Sequence, residues 1–192
     1  MKNRKAFTLT ELLITCGIIG ILTAIALPNF LTARTRSQIA KEKSNIYSVS
    51  TALESYRADS NKYPLAAIPL SFPDGGKTLS PRIKRLSPLT TPIKYINQIP
   101  EDMFNPSENL DDKVTNYLDK NSYELSGRYM NDRPSVAGVD IEFFTKRNAQ
   151  WITLSYGPSK ERPNMLDGFN DNDLYSPTNG TKSLGLIVKT GP

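Results

Sequence analysis

A chain of 192 residues has room for one globular domain with a long helix attached, and two full domains would not fit. Lys and Arg outnumber Asp and Glu by 24 to 19, but Lys2, Arg4 and Lys5 all precede residue 7, so removing six residues lowers the formal charge from +5 by three, to +2. Such a small excess, with no clustered Lys/Arg stripe, argues against nucleic acid as a partner. His is absent and Cys16 is the single cysteine, which excludes His-assisted triads, His general bases, the usual zinc sites and an intramolecular disulfide.

Residues 1–6 form a short basic leader. From Phe7 to Leu27 the chain reads FTLTELLITCGIIGILTAIAL, with Glu11 as its one formal charge. As a helix this run is about 30 Å long, the thickness of a bilayer's hydrocarbon core. Lys2, Arg4 and Lys5 predict a cytoplasmic amino terminus and place everything after Leu27 on the far side of the membrane. The run is too long for a secretory signal peptide, and Pro28-Asn29-Phe30 follows it in place of a small-x-small cleavage site. A lipoprotein signal built on Cys16 would put Thr15 before the cysteine and leave a long apolar run beyond it, and a plain signal anchor leaves Glu11 unexplained. A carboxylate in a membrane helix costs on the order of 2.5 to 3.5 kcal/mol and marks function with a nameable partner. Cleavage between Ala6 and Phe7 would supply that partner, because the new α-amino group lies one helical turn from Glu11 on the same chain or on a neighbour.

The stretch Lys5-Ala6-Phe7-Thr8-Leu9-Thr10-Glu11-Leu12-Leu13 resembles the type III signal of type IV pilins and type II secretion pseudopilins. That family has a basic leader, a small residue, a Phe, and a Glu one turn further on. The resemblance implies cleavage after Ala6 by a membrane aspartyl prepilin peptidase and N-methylation of Phe7 by the same enzyme. The family usually has Gly where this chain has Ala6. A proline late in the apolar span, here Pro28, also fits the family. Pro28 lacks a backbone donor and crowds the preceding turn, which predicts a kink in a helix that resumes beyond it; the alternative is a helix stop.

After Asn29, apolar and aromatic residues at Ile39, Ile46, Val49, Leu53 and Tyr56 predict an amphipathic helix with one buried stripe. Arg34, Arg36, Lys41, Glu42, Lys43 and Arg57 fall between them and read as its wet or subunit-facing side. Pro64 disfavours helix in the residue before it, so the helix ends near Asn61. The segments are then the leader 1–6, a transmembrane and filament-core helix 7–28, an amphipathic helix 29–61, and a head 62–192.

Within the head, 64–120 is rich in Pro, Ser and Asn and reads as a long connection with short helical turns. One turn is expected in Ser87–Ile96, its aliphatic residues capping the core, and Arg82, Lys84 and Arg85 read as a solvated basic loop. Acidic pairs at Glu101 and Asp102 and at Asp111 and Asp112 read as surface carboxylates; a membrane-tethered enzyme built on them is the rival from another class. Strand signals follow at Ser122–Met130, Val139–Thr145 and Gln150–Tyr156, with an edge strand at Leu184–Val188. Trp151 reads as a core anchor. The fold class is therefore α+β, a pilin-like ladle in which a long helix packs on a small antiparallel sheet.

Trp151-Ile152-Thr153-Leu154-Ser155-Tyr156-Gly157-Pro158 and the Asp/Asn-rich loop after it are similar to the carboxy-terminal region of the major G-type pseudopilin. There such a loop binds calcium. The resemblance points to Asp167, Asp171 and Asp173 as hard oxygen ligands for Ca²⁺, with backbone carbonyls from Leu154 to Gly157 completing a shell. Type IV pilins commonly close a carboxy-terminal loop with a disulfide, which this chain lacks the cysteines to form. The expected role is a non-enzymatic structural subunit of a helical type II secretion pseudopilus, the alternative being a type IV pilin for adhesion, motility or DNA uptake. The partners so implied are copies of itself in a homo-oligomeric filament, prepilin peptidase, an inner-membrane assembly platform and minor pseudopilins. The expected location is the bacterial inner membrane in a single pass with a periplasmic head, and then a periplasmic filament.

Overall fold

A computed structural model describes residues 7–66, 79, 81–120, 146–160, 174–180 and 185–192. The leader with Ala6, the expected strands at 122–130 and 139–145, and Asp167, Asp171 and Asp173 lie outside these residues. The chain divides into two compact units, Met1–Ser37 and Gln38–Pro192, and one helix, α1 (Leu9–Ser60), contributes to both.

In the first unit α1 is apolar and unburied. Residues 7–31 are exposed throughout, and the helix is long and apolar enough to cross a membrane. Its hydroxyls are not left bare. Thr15 donates to the Glu11 carbonyl at 2.9 Å, Thr23 to Ile19 at 2.8 Å and Thr32 to Pro28 at 3.0 Å, so each of these hydroxyls is satisfied inside its own helix, as a lipid phase requires. Helical structure runs through Pro28 and continues to Ser60, which excludes the helix stop. Beside the proline, Asn29 Nδ2 donates to the Ile25 carbonyl at 3.2 Å, covering an acceptor in the turn that Pro28 interrupts.

The second unit is built on the other end of α1. Ile39, Ile46, Val49, Ala52 and Leu53 are buried at helical spacing. The helix ends where Asn61 turns left-handed (φ 56°) and its N–H donates to the Arg57 carbonyl at 2.8 Å; Asn tolerates this conformation better than most residues. Val49, Ala52 and Leu53 join Tyr63, Ala66, Leu86, Leu89, Tyr117 and Trp151 in one cluster, while Ile39, Ile46, Phe104, Tyr156 and Ile187 form another. Complete burial of Leu53, Leu86 and Leu89 contributes about 1.5–3 kcal/mol for each side chain.

Three strands form an antiparallel sheet in the order β1-β2-β3: β1 (Asn116–Asp119), β2 (Trp151–Ser155) and β3 (Ile187–Gly191). Trp151 pairs with Asp119 on one side and Gly191 on the other. All five residues of β2 are buried, which suits a central strand covered on both faces. The long apolar helix and the small antiparallel sheet give the expected α+β class.

Trp151 is the core anchor that the sequence suggests. It is 1% exposed, and its Nε1–H donates to Glu54 Oε1 at 2.8 Å. Glu54 also accepts from Tyr63 Oη at 3.0 and 3.1 Å, and Arg57 Nη1 donates to Tyr63 Oη at 2.9 Å. One helix carboxylate thus ties β2 and the segment after α1 to the helix.

Several expectations need correction. The connection 64–120 contains the expected short turns, α2 (Ile83–Leu86) and the 3₁₀ turns Ser87–Leu89 and Leu110–Asp112, but it also contains β1. Asn116 and Asp119 are buried polar residues whose side chains accept from Arg85 Nη1 at 2.7 Å and from the Ala66 N–H at 2.7 Å. The same contact overturns the solvated loop: Lys84 is exposed, but Arg85 is buried and also donates to the Leu79 carbonyl at 2.9 Å. The edge strand begins at Ile187 and, through the pairing of Gly191 with Trp151, runs three residues past Val188; Leu184 lies outside the described residues. Glu42 lies on the buried face at 0% exposure, not on the wet side, and Asp102 is 1% exposed, not a surface carboxylate.

Candidate processing and assembly site

The helix begins one residue after Thr8, and the local sequence explains why. Thr8-Leu9-Thr10-Glu11 is a capping box, in which residue and helix end satisfy each other. The Thr8 N–H donates to Glu11 Oε2 at 2.9 Å, the Thr8 hydroxyl donates to the same oxygen at 2.7 Å, and the Glu11 N–H donates to Thr8 Oγ1 at 3.3 Å. The Thr8 carbonyl accepts the first helical bond, from Leu12 at 3.3 Å. A carboxylate in the first turn also meets the positive end of the helix dipole, an effect of about 0.3–1 kcal/mol. Both bonds land on Oε2, and Oε1 takes part in neither.

This arrangement changes how Glu11 reads. The sequence suggests a charge that needs an external cation, whereas the structure supplies two donors from Thr8 within the same turn. Phe7, 76% exposed, precedes the residue whose N–H already holds the carboxylate. Thr8 is the residue that the sequence reading missed, although its spacing to Glu11 is the signature of a capping box. Pro28 lies inside the helix some five turns away, in the same exposed apolar stretch. Cys16 is exposed there too and unpaired.

Among the described residues no group of three His, Cys, Asp or Glu side chains is placed to hold a metal. Of the carbonyls considered for a calcium shell, that of Gly157 accepts from the Lys160 N–H at 3.1 Å, and Leu154 and Ser155 belong to β2. No ligand geometry follows, since the three aspartates lie outside the described residues.

A second acidic centre lies in the head, where Asp102, read from the sequence as a surface carboxylate, is buried near Glu42. Asp102 accepts from Ser155 Oγ at 2.7 Å and from the Phe104 N–H at 2.9 Å through Oδ1, and from the Tyr156 N–H at 3.3 Å through Oδ2. Glu42 is more poorly served. Its Oε2 accepts two long bonds, from Asn45 Nδ2 and the Met103 N–H, both at 3.4 Å, and its buried Oε1 has no hydrogen-bond partner among the described residues. Burial, and next the Asp102 charge, push the Glu42 carboxyl up to about 7, and burial raises Asp102 despite its donors.

An exposed apolar helix end with a capped acidic first turn, carried on a helix that elsewhere packs a small sheet, is the build of a pilin-like subunit. Residues 1–27 match the prokaryotic N-terminal methylation motif. The fimbrial protein EcpB of Eikenella corrodens is 32% identical over 175 residues, covering 85% of this chain and 96% of that protein. The chain belongs to the type IV pilin and pseudopilin family, whose members are structural subunits. The type II secretion system core protein G of Aeromonas hydrophila is 26% identical over 141 residues, or 66% of this chain and 86% of that one. The type IV major pilin protein PilA of Myxococcus xanthus is 38% identical over 82 residues, which span 42% of this chain but only 37% of the Myxococcus protein. No solved structure gives a significant match.

Proposed function

We propose that this chain is a structural subunit of a helical type II secretion pseudopilus, cut between Ala6 and Phe7 by prepilin peptidase and methylated on Phe7. Subunits wait in the inner membrane with the head in the periplasm. An assembly platform then draws their apolar helix ends out of lipid and into a filament core, alongside minor pseudopilins. In that core Glu11 pairs with the Phe7 amine of a neighbour and selects axial register, and a kink at Pro28 adjusts the helix path. Calcium held by Asp167, Asp171 and Asp173 belongs to the same reading.

The observation that supports a pseudopilus over a pilus is how the head is closed. Cys16 sits in the exposed apolar stretch, so the carboxy-terminal strand relies on its ladder with β2 and on Lys189, whose Nζ lies 3.9 Å from the centre of the Tyr47 ring. The full-length likeness to a fimbrial protein supports a second reading, a type IV pilin for adhesion, motility or DNA uptake. Deleting the gene separates them. Loss of enzyme export with unchanged surface pili is the outcome expected for a pseudopilin, and loss of surface pili with normal export would establish the pilin.

A further inference from the structure

We propose that Glu42 and Asp102 form a proton-binding latch between α1 and the 101–105 loop, with the proton carried on Glu42 in the folded head.

Two carboxylates buried together cannot both stay ionised without donors to match. The donors are unevenly divided. Asp102 has three, from Ser155 and the backbone of Phe104 and Tyr156, with the shortest at 2.7 Å. Glu42 has two, both at 3.4 Å and both on Oε2. Its Oε1 is buried without a hydrogen-bond partner among the described residues, so a charge there would meet no donor. The uneven supply makes Asp102 the anion and Glu42 the proton carrier. A cation is a poorer occupant than a proton, because hard divalent ions want six or more oxygen ligands and both Asp102 oxygens are already engaged.

Among the described residues the charges that reach the pair are few. Lys41 on the same helix acts on Glu42, and Arg82 acts on Asp102; both favour ionisation and are outweighed by burial. Among the described residues the pair's hydrogen-bond partners are neutral: Asn45 on the same helix and, from the elements packed against it, Ser155 and the N–H groups of Met103, Phe104 and Tyr156.

The latch joins separate parts of the head. Asn45 Nδ2 also lies 3.3 Å from the Glu101 carbonyl, and the Asp102 N–H donates to the Lys113 carbonyl at 2.9 Å. Through Ser155 the pair reaches β2. Release of the Glu42 proton to solvent therefore places two negative charges where the helix, the loop and the sheet meet.

An unfolded glutamate gives up its proton near 4.5, but the folded head holds this one until about pH 7. The stability due to the latch is complete below 4.5, falls as pH rises, and is gone above 7.

The test uses the full chain in detergent micelles. Trp151 is the single tryptophan and is buried in the head, so its fluorescence reports head unfolding in urea. The folding equilibrium constant of the wild type is expected to drop by about five- to sevenfold per pH unit between pH 5 and 7 and to level off above. Glu42→Gln should match the wild type near pH 5 and lose most of that slope. Equal slopes in the two proteins, or a flat wild-type profile, overturn the proposal. Infrared spectroscopy of wild type carrying ¹³C-labelled glutamate gives an independent answer if Glu42→Gln does not fold. A protonated glutamate carboxyl persisting at pH 6 supports the latch, and its absence overturns it.

Discussion

Thr8 and Glu11 close the first turn of α1 on each other, the Thr8 N–H and hydroxyl both donating to Glu11 Oε2 at 2.9 and 2.7 Å. Glu11 therefore has two separable roles, as a cap acceptor and as a charge. Glu11→Gln keeps an acceptor for Thr8 and removes the charge, while Thr8→Ala does the reverse. If pairing with a neighbour's amine drives assembly, Glu11→Gln inserts normally into membranes and is lost from filaments. Thr8→Ala costs about 1 kcal/mol of helix end and still assembles. Membrane fractionation and the yield of sheared filaments distinguish the two; filaments at wild-type yield from Glu11→Gln would remove the charge from the mechanism.

The Phe7 amine exists only after cleavage. Mass spectrometry of the chain recovered from cells with an active prepilin peptidase is expected to show Phe7 at the amino terminus, heavier by one methyl group. Because Ala6 stands where the family usually has glycine, Ala6→Gly should raise the mature fraction in a pulse-chase experiment. A terminus still at Met1 would end both the cleavage and the pairing arguments.

Features carried by periodicity or by a short motif are legible in the sequence. The apolar run of α1, the stripe Ile39, Ile46, Val49 and Leu53, and the anchor Trp151 all follow from spacing and composition. Features created by tertiary contact are not. β1 is four residues long with polar ends, and inside the head Asn116 and Asp119 accept from Arg85 and from the Ala66 N–H. Glu42 is the instructive case. It lies three residues after Ile39 and four before Ile46, so the helical period itself puts it on the buried stripe; its charge, not its position, suggested the wet side. The partner that makes burial tolerable, Asp102 with its loop, is sixty residues away.

Glu54 should be a stability hub, since it accepts from Trp151 Nε1 at 2.8 Å and from Tyr63 Oη at 3.0 Å. Glu54→Ala leaves the buried indole N–H without an acceptor, which costs about 1–3 kcal/mol. Glu54→Gln keeps one acceptor and should lose less. Urea unfolding followed by circular dichroism checks the order. In a double-mutant cycle with Trp151→Phe, the two changes should cost less together than the sum of each alone, because the second removes a donor already orphaned by the first. Strict additivity would show that the bond contributes nothing to stability.

Gly191 is held by the same tryptophan from the other side. It pairs directly with Trp151 across the β2–β3 ladder, and a Cβ on Gly191 would run into Cε2, Cζ2 and Nε1 of the indole. The ring covers the glycine, as an aromatic neighbour can when a strand residue has no side chain of its own. It cannot simply swing away, because Nε1 is tied to Glu54 and the ring is packed edge-on to Tyr63 at 6.5 Å between centroids. Gly191→Ala must therefore displace either the indole or β3, at about 1–3 kcal/mol. Part of that strain should fall on the Trp151–Glu54 bond, so the variant's tryptophan emission should shift as well as its urea midpoint. Shrinking the ring provides the control. In a Trp151→Leu background, already weaker for lack of the indole, Gly191→Ala should cost far less than it does in the wild type. An equal penalty in both backgrounds would mean that the glycine is required by the strand itself and not by the ring above it.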